Sequence, residues 1–521
     1  MRWRYAILGG TAAAGAATAV HDLVQRKHAI LRNFPVVGHG RFLVEKFGPE
    51  LRQYIVTSND EERPFSRDQR RWVYASSKLE NNYFGFGTDN DVEQVSGYPI
   101  VKHRTFTGPG AATMPHAQEE IVLPSAKVLG GPRGRTHAFR PTSVVNISGM
   151  SFGSLSGKAV ESLNKGAAMA GCLQNTGEGA LSPHHRHGGD IIFQIGTSYF
   201  GCRDEHGRFD LARLVDLVQS APVKAIEIKL SQGAKPGLGG MLPAEKVSRE
   251  IAEIRGIPEG KDCASPSRHA VFGDVDSMLD FVETVAQATG LPVGIKSAVG
   301  NLTMWDELSE EMSRGTRGVD FINIDGGEGG TGAAPMIFAD SVAYPFRIAF
   351  AEVYRRFAAA GLADDVVFIG AGKLGIPENA VVAFALGADM ISVGREAMMA
   401  IGCIQAQKCH TDHCPVGVAT QNPRYTRGLD VSLKSVRAAN YIRSLRRDLL
   451  KVSEAVGVVH PGLIAPRDVD LLDGTRSAVG LAEVYGYDPS WPRLGEHLVK
   501  EIEALMVAQG ATHEAAAEAR P

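Results

Sequence analysis

Between residues 142 and 395 one pattern recurs eight times: a short run rich in β-branched residues, then a stretch with room for a helix. The runs are TSVVNI (142–147), CLQNT (172–176), IIFQIG (191–196), AIEIKL (225–230), PVGIKS (292–297), DFINID (320–325), VVFIGA (366–371) and MISVGR (390–395). Intervening segments such as EKVSREIAEIR (245–255) and SMLDFVETVAQAT (277–289) carry helical periodicity. Parallel strands need crossovers of this kind. Eight strands alternating with helices predict an α/β fold of the TIM (β/α)8 barrel type rather than an open doubly wound sheet. The expectation rests chiefly on the last five runs.

The flanks read differently. Residues 126–425 form the expected barrel domain, preceded by an accessory region (31–125) and followed by a helical C-terminal extension (426–521). In the accessory region, LVEKFGPELRQYIV predicts a helix broken at Gly48 and Pro49. The extension opens with RYTRGLDVSLKSVRAANYIRSLRRDLLKV, whose basic amphipathic spacing predicts a packed helix with one solvated face. The tail from Thr512 is expected to fray. Residues 5–20, YAILGGTAAAGAATAV, are apolar but short and weakly hydrophobic against the roughly 20 residues a span needs. Residues 1–30 are therefore read as a membrane anchor or a plain N-terminal helix. Arg26, Lys27 and Arg32 after the apolar stretch outnumber Arg2 and Arg4 before it, which would keep the rest of the chain inside. Ala-x-Ala combinations admit a secretory signal, but no twin-arginine pair accompanies them, which argues against export. With 22% charged residues, 44% hydrophobic residues and a net charge of −3, the composition suits a soluble globular enzyme and argues against nucleic acid as a partner. The scattered Cys172, Cys202 and Cys263 suggest no disulfide framework, which fits a cytoplasmic setting.

In such a barrel the chemistry lies at the C-terminal ends of the strands. The first expected strand ends in NISGMSFGSLS, where Gly149, Met150 and Ser151 would let a flat ring lie on the backbone. The second ends in NTGEGA and sets Glu178 in a glycine-flanked turn. The fourth ends in KLSQGAKPGLGGMLP, pointing Gln232 and Lys235 into the same mouth. The fifth ends at Lys296, the sixth in IDGGEGGTG with Asp325, Gly326 and Gly327, the seventh in GAGKLG, and the eighth in VGR. Glycines after strands seven and eight commonly bind phosphate, so Gly370, Gly372, Gly394 and Arg395 are phosphate candidates. Lys296 would stabilise an electron-rich ring beside it, or pair with a strand-end carboxylate such as Asp325.

After the eighth run, GCIQAQKCHTDHCPVGVATQ holds Cys403, Cys409 and Cys414, spaced C-x5-C-x4-C. Closely spaced cysteines are the soft ligands of iron–sulfur clusters, and three suit a three-iron cluster better than the four-cysteine kinds. Unpaired thiols in a loop are the alternative. After Glu178, His184, His185 and His187 read as a polar loop over the pocket mouth ahead of a metal site.

SGMSFGSLS, NTGEG, QGAKPG, the DGG-x-GGTGA-x-P run at 325–335 and CPVGVATQ occur in the order found in the FMN-binding synthase domain of glutamate synthases, which the segment from about 140 to 425 resembles. The resemblance implies FMN, a 3Fe–4S cluster on Cys403, Cys409 and Cys414, and reductive conversion of 2-oxoglutarate to glutamate. It also implies that Glu178 faces the ammonia or imine position, while Gln232, Lys235 and Arg255 hold the substrate carboxylates. Lys235 joins Glu178 in the catalytic set. Where the family often reads KPG-E-GGQLP, this chain has Leu238 and Met241, which leaves room for a variant substrate. No glutaminase domain and no glycine-repeat β-helix is recognisable. The expected nitrogen source is therefore free ammonia or a separate glutaminase subunit. No dinucleotide fingerprint is recognisable either, so electrons are expected from a ferredoxin-like protein or a membrane carrier. Two alternatives remain: amine transfer of the N-methylglutamate synthase type, and a membrane-tethered redox subunit without keto-acid turnover.

Overall fold

A computed structural model describes residues 2–25, 29–57, 61–88, 90–92, 95–106 and 122–518. Each of the eight predicted runs contributes a strand: β1 (Val145–Ile147), β2 (Gln174–Asn175), β3 (Ile191–Ile195), β4 (Val223–Lys229), β5 (Val293–Ser297), β6 (Phe321–Asp325), β7 (Val367–Ala371) and β8 (Met390–Val393). They close into one parallel barrel, with β8 returning to β1 through Ile391 opposite Val145. The expected TIM barrel is the fold of this chain.

Local sequence explains the connections. Ser156 Oγ accepts from Ala159 N to start helix Gly157–Ala170, and Gly171 ends it in the left-handed region at φ 61°. Asp274 and Ser277 form a capping box on helix Val275–Thr289. Leu129, Leu173, Ile192, Ala225, Phe321, Val367, Ile369 and Met390 form an apolar cluster in the core. Gly294 on β5 makes room for it: a methyl there would lie 2.4 Å from the Phe321 ring. Lys127, fully buried, pairs with Asp389 at 2.8 Å and also donates to Ala363 O and Val366 O. Arg135 grips Glu283 with both Nη atoms and Asp320 through Nε.

The C-terminal flank departs from expectation in two places, and its long helix packs as expected. The C-terminal extension is not purely helical. Val469–Leu472 and Ala478–Gly480 form a three-stranded antiparallel sheet with Pro99–Val101 from the accessory region. Helix Val431–Val456 packs on helix Gly157–Ala170 so closely that a methyl on Gly166 would lie 2.6 Å from Ala438 Cβ. The tail expected to fray from Thr512 continues helix Glu496–Glu518, and residues 519–521 lie outside the described set.

The chain divides into two compact units at Arg70. Within the first, helix His39–Leu51 runs through Pro49 instead of breaking there, and passes into a π-helical turn at Arg52–Val56. The Arg52 amide donates to Gly48 O and Pro49 O, so the hydrogen-bonded turns resume directly after the proline. Buried Asp22 accepts from Val36 N at 2.8 Å and from His39 Nε2 at 3.0 Å. The apolar N-terminal stretch forms helix Arg2–Val24, and among the described residues no helix is long and apolar enough to cross a membrane. The spanning anchor thus has no structural support, and Arg26 and Lys27 of its expected positive flank lie outside the described residues.

Candidate functional site

Period-two alternation in AIEIK sends Glu227 and Lys229 to the same face of β4. Glu227 is fully buried. Its Oε1 accepts from Asn175 Nδ2 at 2.8 Å and Gln194 Nε2 at 2.6 Å, and its Oε2 from Asn323 Nδ2 at 2.8 Å. Four strands thus supply one polar layer around a single carboxylate. The end of β1 lies on that layer, since a methyl on Gly149 would lie 2.7 Å from Asn175 Oδ1. Lys296, from β5, is buried 3.4 Å from Asp325 Oδ2. Burial works against its charge, but Asp325 and Glu227 outweigh it and raise the ammonium above the ordinary lysine range.

Lys229 is the centre of the mouth. Its Nζ donates to Glu178 Oε1 and to Gln232 Oε1, both at 2.7 Å. Burial pushes the Glu178 carboxyl up, yet Lys229, with Lys235 and Arg255 further off, holds it below the ordinary carboxylate range. Glycines admit this carboxylate: methyls on Gly196 and Gly240 would lie 2.7 Å from its Cβ and Oε1. Lys235 is buried and donates to Gly239 O at 3.0 Å. Burial and then Lys229 lower its pKa, against the pull of Glu178. Arg255 ends helix Arg249–Arg255, buried beneath the loops after β1 and β2, and its Nη2 donates to Phe152 O at 2.8 Å. The structure therefore brings Glu178, Gln232 and Lys235 together around Lys229 and sets Arg255 beneath them. Sequence reasoning missed Lys229 and Glu227, although alternation in β4 marks both as inward-facing.

The glycine-rich strand ends meet backbone to backbone. Asp325 Oδ2 accepts from Gly233 N at 3.0 Å, and a methyl on Gly233 would fall 1.8 Å from Gly326 O. Gly326 N donates to Ala371 O and Gly327 N to Tyr344 O, each at 2.9 Å. Behind Gly177, a methyl would meet Ser151 N at 2.7 Å and the Met150 carbonyl carbon at 3.0 Å. Gly370 lies inside β7, where a methyl would strike the Phe346 ring and Leu374, so packing accounts for it. Gly372 (φ 121°) and Lys373 (φ 56°) turn the chain through positive φ after β7. Above Gly394 the space is open, Ser148 Cβ at 3.7 Å being its near neighbour. The Arg395 guanidinium lies across the loop after β6, donating to Glu328 O.

The cysteine loop follows β8. Cys414 is buried, while Cys403 and Cys409 are half-buried. Burial pushes the Cys403 thiol up to about 12, and Cys409 and Cys414 add to the rise. Gln405 N donates to Cys403 Sγ at 3.4 Å, and Tyr74 OH donates to Cys403 O at 2.9 Å. Among the described residues no three His, Cys, Asp or Glu side chains converge on a single ion. Thiolates on a cluster bind different irons and need no common point; three thiols in one loop, one already receiving an N–H, fit such a group. The histidines diverge. His184 Nε2 lies 3.0 Å from Glu250, and His187 lies 3.9 Å from Glu161. His185 is buried against Ser182, and burial pushes its pKa down to about 3.

The chain matches the conserved region in glutamate synthase over residues 125–459. It is 37% identical over 470 residues to a glutamate synthase large subunit-like protein of Bacillus subtilis, YerD, covering 85% of this chain and 89% of that one. It is 36% identical over 320 residues to an archaeal glutamate synthase [NADPH] of Methanocaldococcus jannaschii, covering 60% of this chain and 59% of that protein. Among solved structures, a mandelate oxidase mutant superposes with a TM-score of 0.41 at 17% identity, covering 77% of this chain and 98% of the other. On the family match and the full-length relative, the chain is a glutamate synthase-like oxidoreductase and belongs to the glutamate synthase family.

Proposed function

We propose that this chain makes L-glutamate from 2-oxoglutarate and ammonia, with FMN in the barrel mouth and a 3Fe–4S cluster on Cys403, Cys409 and Cys414. The observation that carries the reading is the hydrogen-bonded set Glu178–Lys229–Gln232 beside Lys235. A dianionic keto acid needs cations at its carboxylates, and Lys229 and Lys235 supply them where bulk water is excluded. Gln232 orients a carboxylate through its amide, and Arg255 adds charge from beneath the loop after β1. Glu178, ionised at neutral pH, accepts a proton from attacking ammonia and returns one as water leaves the carbinolamine. Bound FMN supplies the two-electron reduction of the resulting imine.

The residues fit that cofactor. Gly149 carries no side chain at the end of β1, Met150 and Ser151 follow it, and Lys296 places a buried cation at the strand ends. Asp325, Gly326 and Gly327 shape the opposite wall, with Gly372, Gly394 and Arg395 at the phosphate end. The domain roles follow: residues 126–425 carry the chemistry, and the flanking regions support it. Electrons come from a ferredoxin-like protein or a membrane carrier, and a separate glutaminase subunit is a second source of ammonia.

The test is anaerobic. Reduced full-length protein is mixed with 2-oxoglutarate, with and without ammonium, and flavin absorbance and glutamate are followed. Reoxidation that needs both substrates and yields glutamate is expected; a flavin that stays reduced with both present overturns the reading and favours a redox subunit without turnover. A second reading, amine transfer of the N-methylglutamate type, is favoured by one observation. Met241 replaces a glutamine of the family pattern and is 48% exposed, in a ribbon paired with Cys263–Ala264, giving an apolar rim for an N-alkyl group. Faster reoxidation with methylamine than with ammonium would establish it.

A further inference from the structure

Lys246 follows β4 by seventeen residues, yet its side chain ends at the cysteine loop. It is 3% exposed. Its Nζ donates to Cys409 O at 2.7 Å, to Ala419 O at 2.9 Å and to Ser154 O at 3.2 Å. Those carbonyls belong to the middle and the C-terminal end of the cysteine loop and to the loop after β1, where the flavin is proposed to lie. Two further stitches join the same loops. Gln421 Nε2 donates to Gly153 O at 3.0 Å and Leu155 O at 2.9 Å, and Ser156 N donates to Val418 O at 2.9 Å.

Among the described residues no carboxylate lies within the 4.0 Å of an ion pair with Lys246 Nζ. The acidic groups in its electrostatic reach are Asp412, Cys409 and Cys414. A desolvated ammonium whose direct partners are all neutral carbonyls is costly unless an anion faces it. The Asp412 carboxylate is one such anion, and a cluster carrying three thiolates would be a second.

We infer that Lys246 is a positioning residue that pins the cysteine loop to the loop after β1 and sets a fixed positive charge beside the iron–sulfur cluster. The inference rests on the cluster reading of Cys403, Cys409 and Cys414. A positive charge beside an anionic redox centre stabilises its reduced form, so removing it lowers the potential. Breaking the carbonyl contacts also frees the loop.

Full-length wild type, K246M, K246R and Q421A are purified anaerobically, with flavin content and far-ultraviolet circular dichroism as folding checks. Iron content and the midpoint potential of the cluster are measured. After chelator treatment, the alkylation rate of Cys409 is compared with that of buried Cys172 in the same chain. K246M is expected to show a more negative midpoint and faster Cys409 alkylation, and K246R to recover the midpoint. Q421A breaks two loop contacts without removing charge, so it speeds alkylation and leaves the midpoint unmoved. A K246M midpoint equal to wild type, or one shifted equally in Q421A, overturns the charge role. Alkylation unchanged in K246M overturns the pinning role. If K246M fails the folding checks, K246R against Q421A decides both points: an R variant whose midpoint falls with an unmoved Q421A refutes rescue by charge. Absence of iron in wild type sinks the cluster reading instead, and the alkylation arm alone then decides the pinning.

Discussion

Replacing Lys229 with methionine removes the only ammonium in hydrogen-bond contact with Glu178 among the described residues, while leaving the carboxyl buried. In wild type the folded pKa of Glu178 is lowered, so its contribution to stability is present above the unfolded value and is lost as pH falls through the folded one. In K229M burial acts with less opposition and the folded pKa rises, so the sign inverts: the carboxyl destabilises the fold at neutral pH and ceases to as pH falls. Breaking a buried pair costs about 3–5 kcal/mol, but the orphaned acid can escape by taking up a proton. From a reference pKa of about 4.3, that escape costs roughly 3.7 kcal/mol at pH 7 and about 1 kcal/mol at pH 5. A chain of 521 residues has an unfolding entropy near 1.1 kcal/mol/K at about 2.1 cal/mol/K per residue. The expected drop in Tm is therefore about 3 °C at pH 7 and about 1 °C at pH 5. Differential scanning calorimetry of wild type, K229M and K229M/E178Q at matched flavin occupancy measures it. The double variant should close most of the gap at pH 7. A Tm gap of equal size at both pH values, or none recovered in the double variant, refutes the assignment of Glu178 and Lys229 as a coupled pair.

Three further outcomes are expected. C409S should lose iron and acid-labile sulfide while keeping flavin, read by metal analysis and visible absorbance; undiminished iron would remove Cys409 from the ligand set. G149A puts a methyl 2.7 Å from Asn175 Oδ1, and overpacking of about 1–3 kcal/mol should weaken FMN binding roughly tenfold in a fluorescence titration; an unchanged Kd would mean the flavin does not use this backbone. E227L strips three amide donors of their acceptor at about 1–3 kcal/mol each, so it should lower Tm more than E227Q, whose amide oxygen still accepts; equal Tm values would show that the layer does not depend on the carboxylate.

The barrel was legible because its signal is repetition, and each of the eight runs became a strand. The weakest run illustrates the limit: CLQNT predicted five residues, but only Gln174–Asn175 pair as β2, since the chain turns at Gly177 to fit against Ser151. The site was partly legible. Glu178, Gln232 and Lys235 stand out because glycines surround them. Lys229 and Glu227 do not, because a charged residue in a strand looks like any solvated one until the barrel closes around it. The role of Lys246 was beyond reach for a different reason: its partners lie at 154, 409 and 419, and no local pattern encodes a contact over such separations. The same holds for the small sheet, whose central strand, at 469–472, pairs with residues 99–101 from the other end of the chain.

The contact between Gly233 and Gly326 bears on how the mouth can move. With room for no more than a hydrogen between the two backbones, the loops after β4 and β6 cannot slide past each other or part without losing the Asp325–Gly233 hydrogen bond. They form one rigid jaw. Any opening of the mouth must occur elsewhere, and beside the jaw lies the two-residue ribbon Met241–Leu242, held to Cys263–Ala264 by a single short ladder with Met241 exposed. The groups carried on these two loops, Gln232, Lys235 and Asp325, therefore keep their spacing if the mouth opens.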